Sequence, residues 1–204
     1  MATLIHDPAL EKDILAQRRA WGANRYDEVW EGVYVVSPMP NDNHQRMATR
    51  IAAVFQFALG WESRAEVRAG VNISDRRKGW KKNYRVPDVA VFLEGTKAEN
   101  LETHWLGGPD FGVEITSPGD ETREKIPFYE KVGTRELLII DREPWALELY
   151  RRQDEKLVLV GKTTLEDPQV LQSGLLGLSF ELVPEKPRPR IRIRHVKTGE
   201  EWLV

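Results

Sequence analysis

The sequence predicts an α/β domain in which a central β-sheet carries one α-helix on each side. Apolar residues recur at helical spacing between residues 47 and 59. Apolar runs typical of buried strands follow at residues 89–93 and 111–116, and further strand-like segments lie between residues 137 and 160. We therefore expect a single domain over residues 1–204.

The N-terminal part of the chain predicts a short helix and then a hairpin. Residues 1–25 are mixed and charged, and residues 11–19 are expected to form a helix in an accessory arm on the core. Residues 26–36 read YDEVWEGVYVV, which is aromatic and β-branched with Gly32 in the middle. This pattern favours two short strands or one bulged hairpin.

The clearest helix begins near Asn43, a residue type that caps helix N-termini, and ends at Gly60. One face of this helix is apolar, formed by Met47, Ile51, Val54, Phe55, Ala58 and Leu59. The alternating residues 66–74 then predict a strand.

The middle of the chain predicts two buried strands and a second helix. Pro87 is compatible with the first position of the strand that runs on to residue 93, and a loop over 94–108 leads to the strand at 111–116. The polar residues 117–120 form a turn. Because Pro127 is not tolerated deep inside a helix, we place the helix start near Glu124 and its end at Gly133.

The last third predicts strands at 137–140, 146–150 and 157–160. Residues 186–204 then form a basic C-terminal extension. Within that extension Arg190, Arg192 and Arg194 alternate with isoleucines, so the arginines share one side of a strand.

Composition excludes several classes of function. Apolar residues are 41% and charged residues 30% of the chain, as in ordinary soluble domains, and no apolar run approaches the ~20 residues of a membrane span. The first residues lack the features of a secretory signal, so we expect a cytoplasmic protein. Without cysteine, disulfides and thiolate chemistry are excluded. The four histidines lack the spacing of a zinc site.

Two acids interrupt otherwise apolar strands. Asp88 opens the run VAVFL, and Glu114 lies within FGVEIT. Burying a carboxylate is unfavourable unless a cation compensates it, and neighbouring strands would bring these two acids together. Mg²⁺ or Mn²⁺ would relieve their repulsion and could activate a water for phosphodiester hydrolysis.

A lysine would complete such a site by offsetting negative charge. Residue 116 shares a strand face with Glu114, but it is threonine. Lys125, in the first turn of the following helix, can reach back towards Glu114 with its flexible side chain.

These segments resemble the Uma-two family of the PD-(D/E)XK nuclease superfamily. The resemblance rests on VPDVAVF, FGVEITSPGDETREKIPFYEKVG and RELLIID, and upstream on YDEVWEGVYVVSPMPNDNHQRMATRIA. It implies a restriction endonuclease-like core with a mixed central β-sheet flanked by α-helices. It also implies Mg²⁺ or Mn²⁺ on Asp88 and Glu114, with Lys125 as a displaced third member; Thr116 departs from the parent motif. Glu28 and His44 match as possible accessory residues.

Each of these residues also has a purely structural interpretation. Glu114 would pair with an arginine such as Arg123, and Lys125 would be solvated. Glu28 would be an exposed hairpin acid, and His44 a hydrogen-bonding residue at a helix start rather than a ligand.

A net charge of −2 means that nucleic acid would have to bind to local basic patches. Residues 76–85 combine cationic and aromatic side chains, which suits a loop that binds phosphates. An exposed hairpin tip would have the same composition. Its candidate phosphate-binding residues are Arg76, Arg77, Lys78, Lys81, Lys82 and Arg85. The arginines of 188–194 would form a second phosphate-contacting face or protect an exposed sheet edge.

The function that best fits the sequence is a metal-dependent endonuclease acting on nucleic acid, with DNA as the favoured substrate. One alternative is a non-catalytic module that binds nucleic acid or protein on a nuclease fold. Another is a structural oligomer subunit whose acids are locked in ion pairs. A homodimer or a higher homo-oligomer is expected, with the dimer favoured because dimers are the commonest assembly.

Overall fold

A computed structural model describes residues 3–116 and 121–204. The helices are α1 (Pro8–Ala20), α2 (Asp42–Leu59) and α3 (Ile126–Val132). The strands are β1 (Thr3–Ile5), β2 (Glu28–Trp30), β3 (Val33–Val36), β4 (Glu66–Ala69), β5 (Ile73–Ser74), β6 (Tyr84–Arg85), β7 (Val89–Phe92), β8 (Glu99–Asn100), β9 (Trp105–Leu106), β10 (Phe111–Ile115), β11 (Glu136–Arg142), β12 (Trp145–Gln153), β13 (Lys156–Thr164), β14 (Leu171–Gln172), β15 (Leu178–Val183), β16 (Arg190–His195) and β17 (Glu201–Leu203).

The central sheet has six strands in the order β13-β12-β11-β10-β7-β4. Strands β10 and β11 are parallel and the other neighbours are antiparallel, so the sheet is mixed. One face packs against α2 and a four-stranded sheet, and the opposite face packs against α3. The predicted fold class, a mixed central sheet flanked by helices, is confirmed.

Helix α2 buries its predicted apolar face. Phe55 is fully buried and packs edge-on against Phe111 of β10, with 5.5 Å between ring centroids. The helix is capped by Asn41 and not by Asn43, because Asn41 has the extended backbone of a cap and its side chain accepts from the His44 N–H at 2.9 Å. Asn43 lies inside the first turn.

Helix α3 begins where Pro127 requires it to begin. A 3₁₀ turn over Thr122–Lys125 precedes the helix, so that Pro127 falls in the first helical turn. Gly133 ends the helix in a left-handed conformation, with φ of 87°. The predicted turn at residues 117–120 lies outside the described residues.

Two predicted segments differ from the structure. The single strand expected over 66–74 is divided at Gly70 (φ +62°) into β4, in the central sheet, and β5, in a seven-stranded sheet. The order of that sheet is β1-β3-β2-β6-β5-β9-β8, so the expected loop over 94–108 contains two short strands. Alternating polarity cannot show which sheet a segment joins.

The C-terminal region forms a four-stranded sheet in the order β14-β15-β16-β17. Ile191 and Ile193 of β16 are fully buried in the core shared with α2. The idea that the β16 arginines protect a sheet edge is wrong, because β16 lies between β15 and β17. Arg192 pairs with Glu181 at 2.6 Å, and Arg194 pairs with Glu201 at 3.5 Å.

The N-terminal arm is attached to the seven-stranded sheet. Strand β1 pairs with β3, and Arg18 of α1 donates to the buried carboxylate of Asp27 at 2.6 and 2.7 Å. Arg18 also donates to the Ser37 carbonyl, and Asp27 accepts from the Ser37 N–H. The arm thereby holds the segment that leads into α2. Within the described residues, no helix combines the length and apolarity that crossing a membrane requires.

Candidate active site

The predicted acids face one cavity of about 260 Å³. Its wall is formed by the β2–β3 hairpin, residues 37–41, the start of α2, the entry to β7, the end of β10 and the turn before α3. The acidic and basic side chains in the wall are Glu28, His44, Asp88, Glu114 and Lys125.

Asp88 reaches the cavity through the register of the central sheet. Strands β7 and β10 pair with Val89 opposite Val113, so the next position places Asp88 opposite Glu114. One Asp88 oxygen accepts from the Ile115 N–H at 2.7 Å, and the other lies 2.6 Å from Nε2 of His44. These two contacts fix the carboxylate at the end of the sheet.

Glu114 is buried against α3. Its carboxylate accepts from Nζ of Lys125 at 3.1 and 3.2 Å and from the hydroxyl of Tyr129. Burial raises the pKa of Glu114 to about 8; the Lys125 charge opposes this shift, and the charges of Asp88 and Glu28 add to it. The positive charge of Lys125 is therefore too small to offset the burial of Glu114 and the negative charges of Asp88 and Glu28.

Glu28 joins the same group from the hairpin. Only 2% of this residue is exposed, and its Oε1 accepts from Nζ of Lys125 at 3.0 Å and from the Val86 N–H at 2.8 Å. Trp30 donates to its second oxygen at 2.6 Å. The interpretation of Glu28 as an exposed hairpin acid is wrong, because β2 turns its side chain towards α3.

Lys125 bridges the two glutamates, and its side chain is 13% exposed. The interpretation as a solvated residue is therefore wrong. Pairing of Glu114 with Arg123 is also wrong, because Arg123 contacts Asp141 and Glu148 instead.

His44 combines two contacts at the first turn of α2. Its backbone N–H donates to the cap residue Asn41, and its ring contacts Asp88. The structure thus places His44 as the partner of a candidate ligand carboxylate.

Thr116 does not face the cavity group. Its hydroxyl donates to Asp141 at 2.8 Å. The side chain at the position where the parent motif has a lysine is therefore hydrogen-bonded outside the cavity. Sequence reasoning missed Tyr129, although it lies four residues after Lys125, and residues at that spacing share a helix face.

The donor chemistry of the cavity suits a hard divalent cation. Asp88 and Glu114 supply carboxylate oxygens, the ligands that Mg²⁺ and Mn²⁺ prefer, and the raised pKa of Glu114 reflects mainly its burial, to which the negative charges of Asp88 and Glu28 add. Across residues 3–116 and 121–204, no three His, Asp or Glu side chains form a ready-made metal cluster. The fit thus rests on two carboxylates, with Glu28 engaged by Lys125.

The cationic side chains of residues 76–85 lie in different environments: two arginines pair with acids and the three lysines are exposed. Arg76 pairs with Glu31 at 2.8 Å, and Arg77 pairs with Glu99. Lys78, Lys81 and Lys82 are exposed.

The prediction that Arg85 grips phosphate is wrong. Arg85 is 5% exposed, its guanidinium lies 4.4 Å from the ring centroid of Phe128 and 4.8 Å from that of Trp30, and burial lowers its pKa. It packs inside the protein because β6 pairs with both β2 and β5.

The fold is similar to that of a solved structure. The crystal structure described as "a putative nuclease belonging to DUF820" from Anabaena variabilis is similar to this chain, with a TM-score of 0.58 and 21% identity over 74% of this chain and 82% of that one. The Uma2 family, described as "Putative restriction endonuclease", matches residues 20–183. The chain belongs to this family. No curated protein matches it.

Proposed function

We propose that this protein is a divalent-metal-dependent endonuclease that hydrolyses phosphodiester bonds in DNA. The observation that carries the proposal is the convergence of Asp88, Glu114 and Lys125 on one cavity. Membership of the family supports a nuclease, and the carboxylate pair supports the metal dependence.

Asp88 and Glu114 would hold Mg²⁺ or Mn²⁺. When bound, the ion would supply Lewis-acid stabilisation of the negative charge that develops on the phosphate. His44 and the Ile115 N–H fix the Asp88 carboxylate, and Tyr129 fixes that of Glu114. These contacts would keep both carboxylates in place without a rearrangement on binding.

Lys125 would act beside the phosphate as the cation of the site. Its Nζ is within hydrogen-bond distance of both Glu28 and Glu114, and it lines the cavity. Such an ammonium group can position an attacking water and offset the charge on the reacting phosphate. Glu28 would serve as a positioning residue, since it holds Lys125 in place.

The test is cleavage of supercoiled, linear and single-stranded DNA with Mg²⁺ or Mn²⁺ by the wild type, Asp88→Asn and Glu114→Gln. Loss of a carboxylate that holds the ion is expected to lower the rate by at least about 10²–10³-fold. A matched control is Asp141→Asn, which alters an acid that pairs with Arg123 outside the cavity. Cleavage by all four proteins at one rate would contradict the proposal.

Absence of cleavage by the wild type on every DNA form would favour the non-catalytic binding module. That alternative also expects Asp88→Asn to bind DNA as the wild type does. Dimerisation stays a prediction, which sedimentation of the wild type would check.

A further inference from the structure

A second concave surface lies between α2 and the segment that leads into β16. We call it the basic groove. It has a volume of about 330 Å³. Its cations come from two distant parts of the chain: Arg46 and Arg50 from α2, and Lys186, Arg188 and Arg190 from the C-terminal region. Among the described residues, Glu185 is the single acidic side chain in its lining.

The groove differs from residues 76–85 in how its cations are compensated. Across the described ranges 3–116 and 121–204, no carboxylate forms an ion pair with Arg46, Arg50, Lys186 or Arg188; Arg46 contacts only the amide oxygen of Asn43, at 3.3 Å. Since the chain has a net charge of −2, this is a local concentration of positive charge. Cations without acidic partners are available to an anionic ligand.

Arg190 at the floor of the groove has an incomplete set of hydrogen bonds. Its terminal nitrogens contact Glu185 at 3.4 Å and the Leu203 carbonyl at 2.7 Å. Its Nε is buried, and among the described residues no group accepts from it. Arg190 thus adds to the groove a positive charge whose hydrogen-bonding capacity is only partly used.

The groove and the active-site cavity lie on either side of the first turns of α2. Asn41 and His44 line the cavity, whereas Asn43, Arg46 and Arg50 line the groove. His44 and Arg50 are separated by roughly 9 Å along the helix axis. Successive phosphates of one DNA strand are spaced by about 3.4 Å along the duplex axis, so a strand in the cavity would pass the groove within a few nucleotides.

We propose that the basic groove binds the phosphate backbone of the DNA duplex whose strand enters the active site. The choice of DNA rests on the proposed function, but the charge and the position of the groove do not. Backbone contacts of this kind set position and affinity without reading sequence.

The test is binding of a fluorescent DNA duplex in EDTA, by fluorescence anisotropy over a range of salt concentrations. The variant is Arg50→Gln with Arg188→Gln, and the matched control is Lys12→Gln with Lys97→Gln, which removes two exposed cations that line neither the groove nor the active-site cavity. Thermal unfolding verifies that both variants are folded.

The groove variant is expected to bind about tenfold more weakly at moderate salt and to lower the slope of log K against log[salt] by about 1.8. The control is expected to match the wild type. No binding by the wild type, an unchanged slope in the groove variant, or an equal loss in the control would overturn the proposal. Because EDTA prevents metal-dependent cleavage, the result is independent of the nuclease test: groove-dependent binding without cleavage under Mg²⁺ would refute only the proposed function.

Discussion

Glu114 and Glu148 occupy one row of the central sheet but have opposite electrostatic environments. Glu114 is paired with Ile139, and Ile139 is paired with Glu148, so both carboxylates project from the same face. Both residues are buried, with 3% and 5% of their surface exposed. Exposed surface alone therefore does not distinguish the candidate active site from a structural ion pair.

The difference lies in how completely each carboxylate is desolvated and in the cations beside it. Burial acts to raise the pKa of Glu148, but hydrogen bonds from Lys162 and Tyr150 and the charge of Arg123 outweigh it, so that its pKa is lowered. Glu114 shares Lys125 with Glu28 and faces Asp88, and its pKa is raised to about 8. A desolvated carboxylate with little cationic compensation is therefore the place where an external cation would be expected to bind.

The largest expected effect is on cleavage. Lys125→Met removes the cation of the site and should lower the cleavage rate by about 10²–10³-fold, while Arg123→Met removes the cation of the Glu148 group and should leave the rate close to that of the wild type. Single-turnover cleavage with Mg²⁺ measures both. Equal losses would mean that the two acid groups do not differ in function.

The next effect is on stability at pH 8. Glu148→Gln should lower the free energy of unfolding by about 1–3 kcal/mol, because Arg123 and Lys162 lose a charged acceptor. Glu114→Gln should raise it, since an ion disfavoured by burial is removed. Urea unfolding in EDTA measures both changes, and destabilisation by Glu114→Gln would show that its charge is already fully compensated.

A third expected effect is the pH dependence of stability. The pKa of Glu114 is about 8 in the folded state against 4.5 for an ordinary glutamate, so the folded state holds the proton more tightly. The resulting stabilisation is complete below pH 4.5 and is lost as the pH rises towards 8, with a slope of at most about 1.4 kcal/mol per pH unit. Glu114→Gln should flatten this decline in metal-free unfolding experiments. A wild-type decline that persists in the variant must come from other groups.

The core of the candidate site could be predicted from the sequence because its signals are local. Asp88 and Glu114 stand out as acids beside apolar strand residues, and Lys125 follows in the next helix. The burial of Glu28 could not be predicted in this way. It depends on contacts with Val86 and Lys125, which are far away in the chain and become neighbours only through sheet pairing.

The basic segments show the same limit. Residues 76–85 look like a uniform cationic loop, but pairing with Glu31 and Glu99 and the burial of Arg85 depend on distant residues. In the C-terminal region, the alternation of apolar and polar residues over 178–183 was a usable signal for strand β15, but it does not show that β16 lies between β15 and β17. The basic groove has no such signal, because helix α2 and residues 185–190 meet only in the folded chain.

The central claim is that Asp88 and Glu114 together bind a divalent cation. Its most direct test is thermal unfolding of the wild type, Asp88→Asn and Glu148→Gln at increasing Mn²⁺ concentrations. A ligand that binds only the folded state stabilises it by about 2.7 kcal/mol at one hundred times its dissociation constant. We predict a rising Tm for the wild type and Glu148→Gln and a constant Tm for Asp88→Asn; a constant Tm for the wild type, or an equal rise for Asp88→Asn, would contradict the claim.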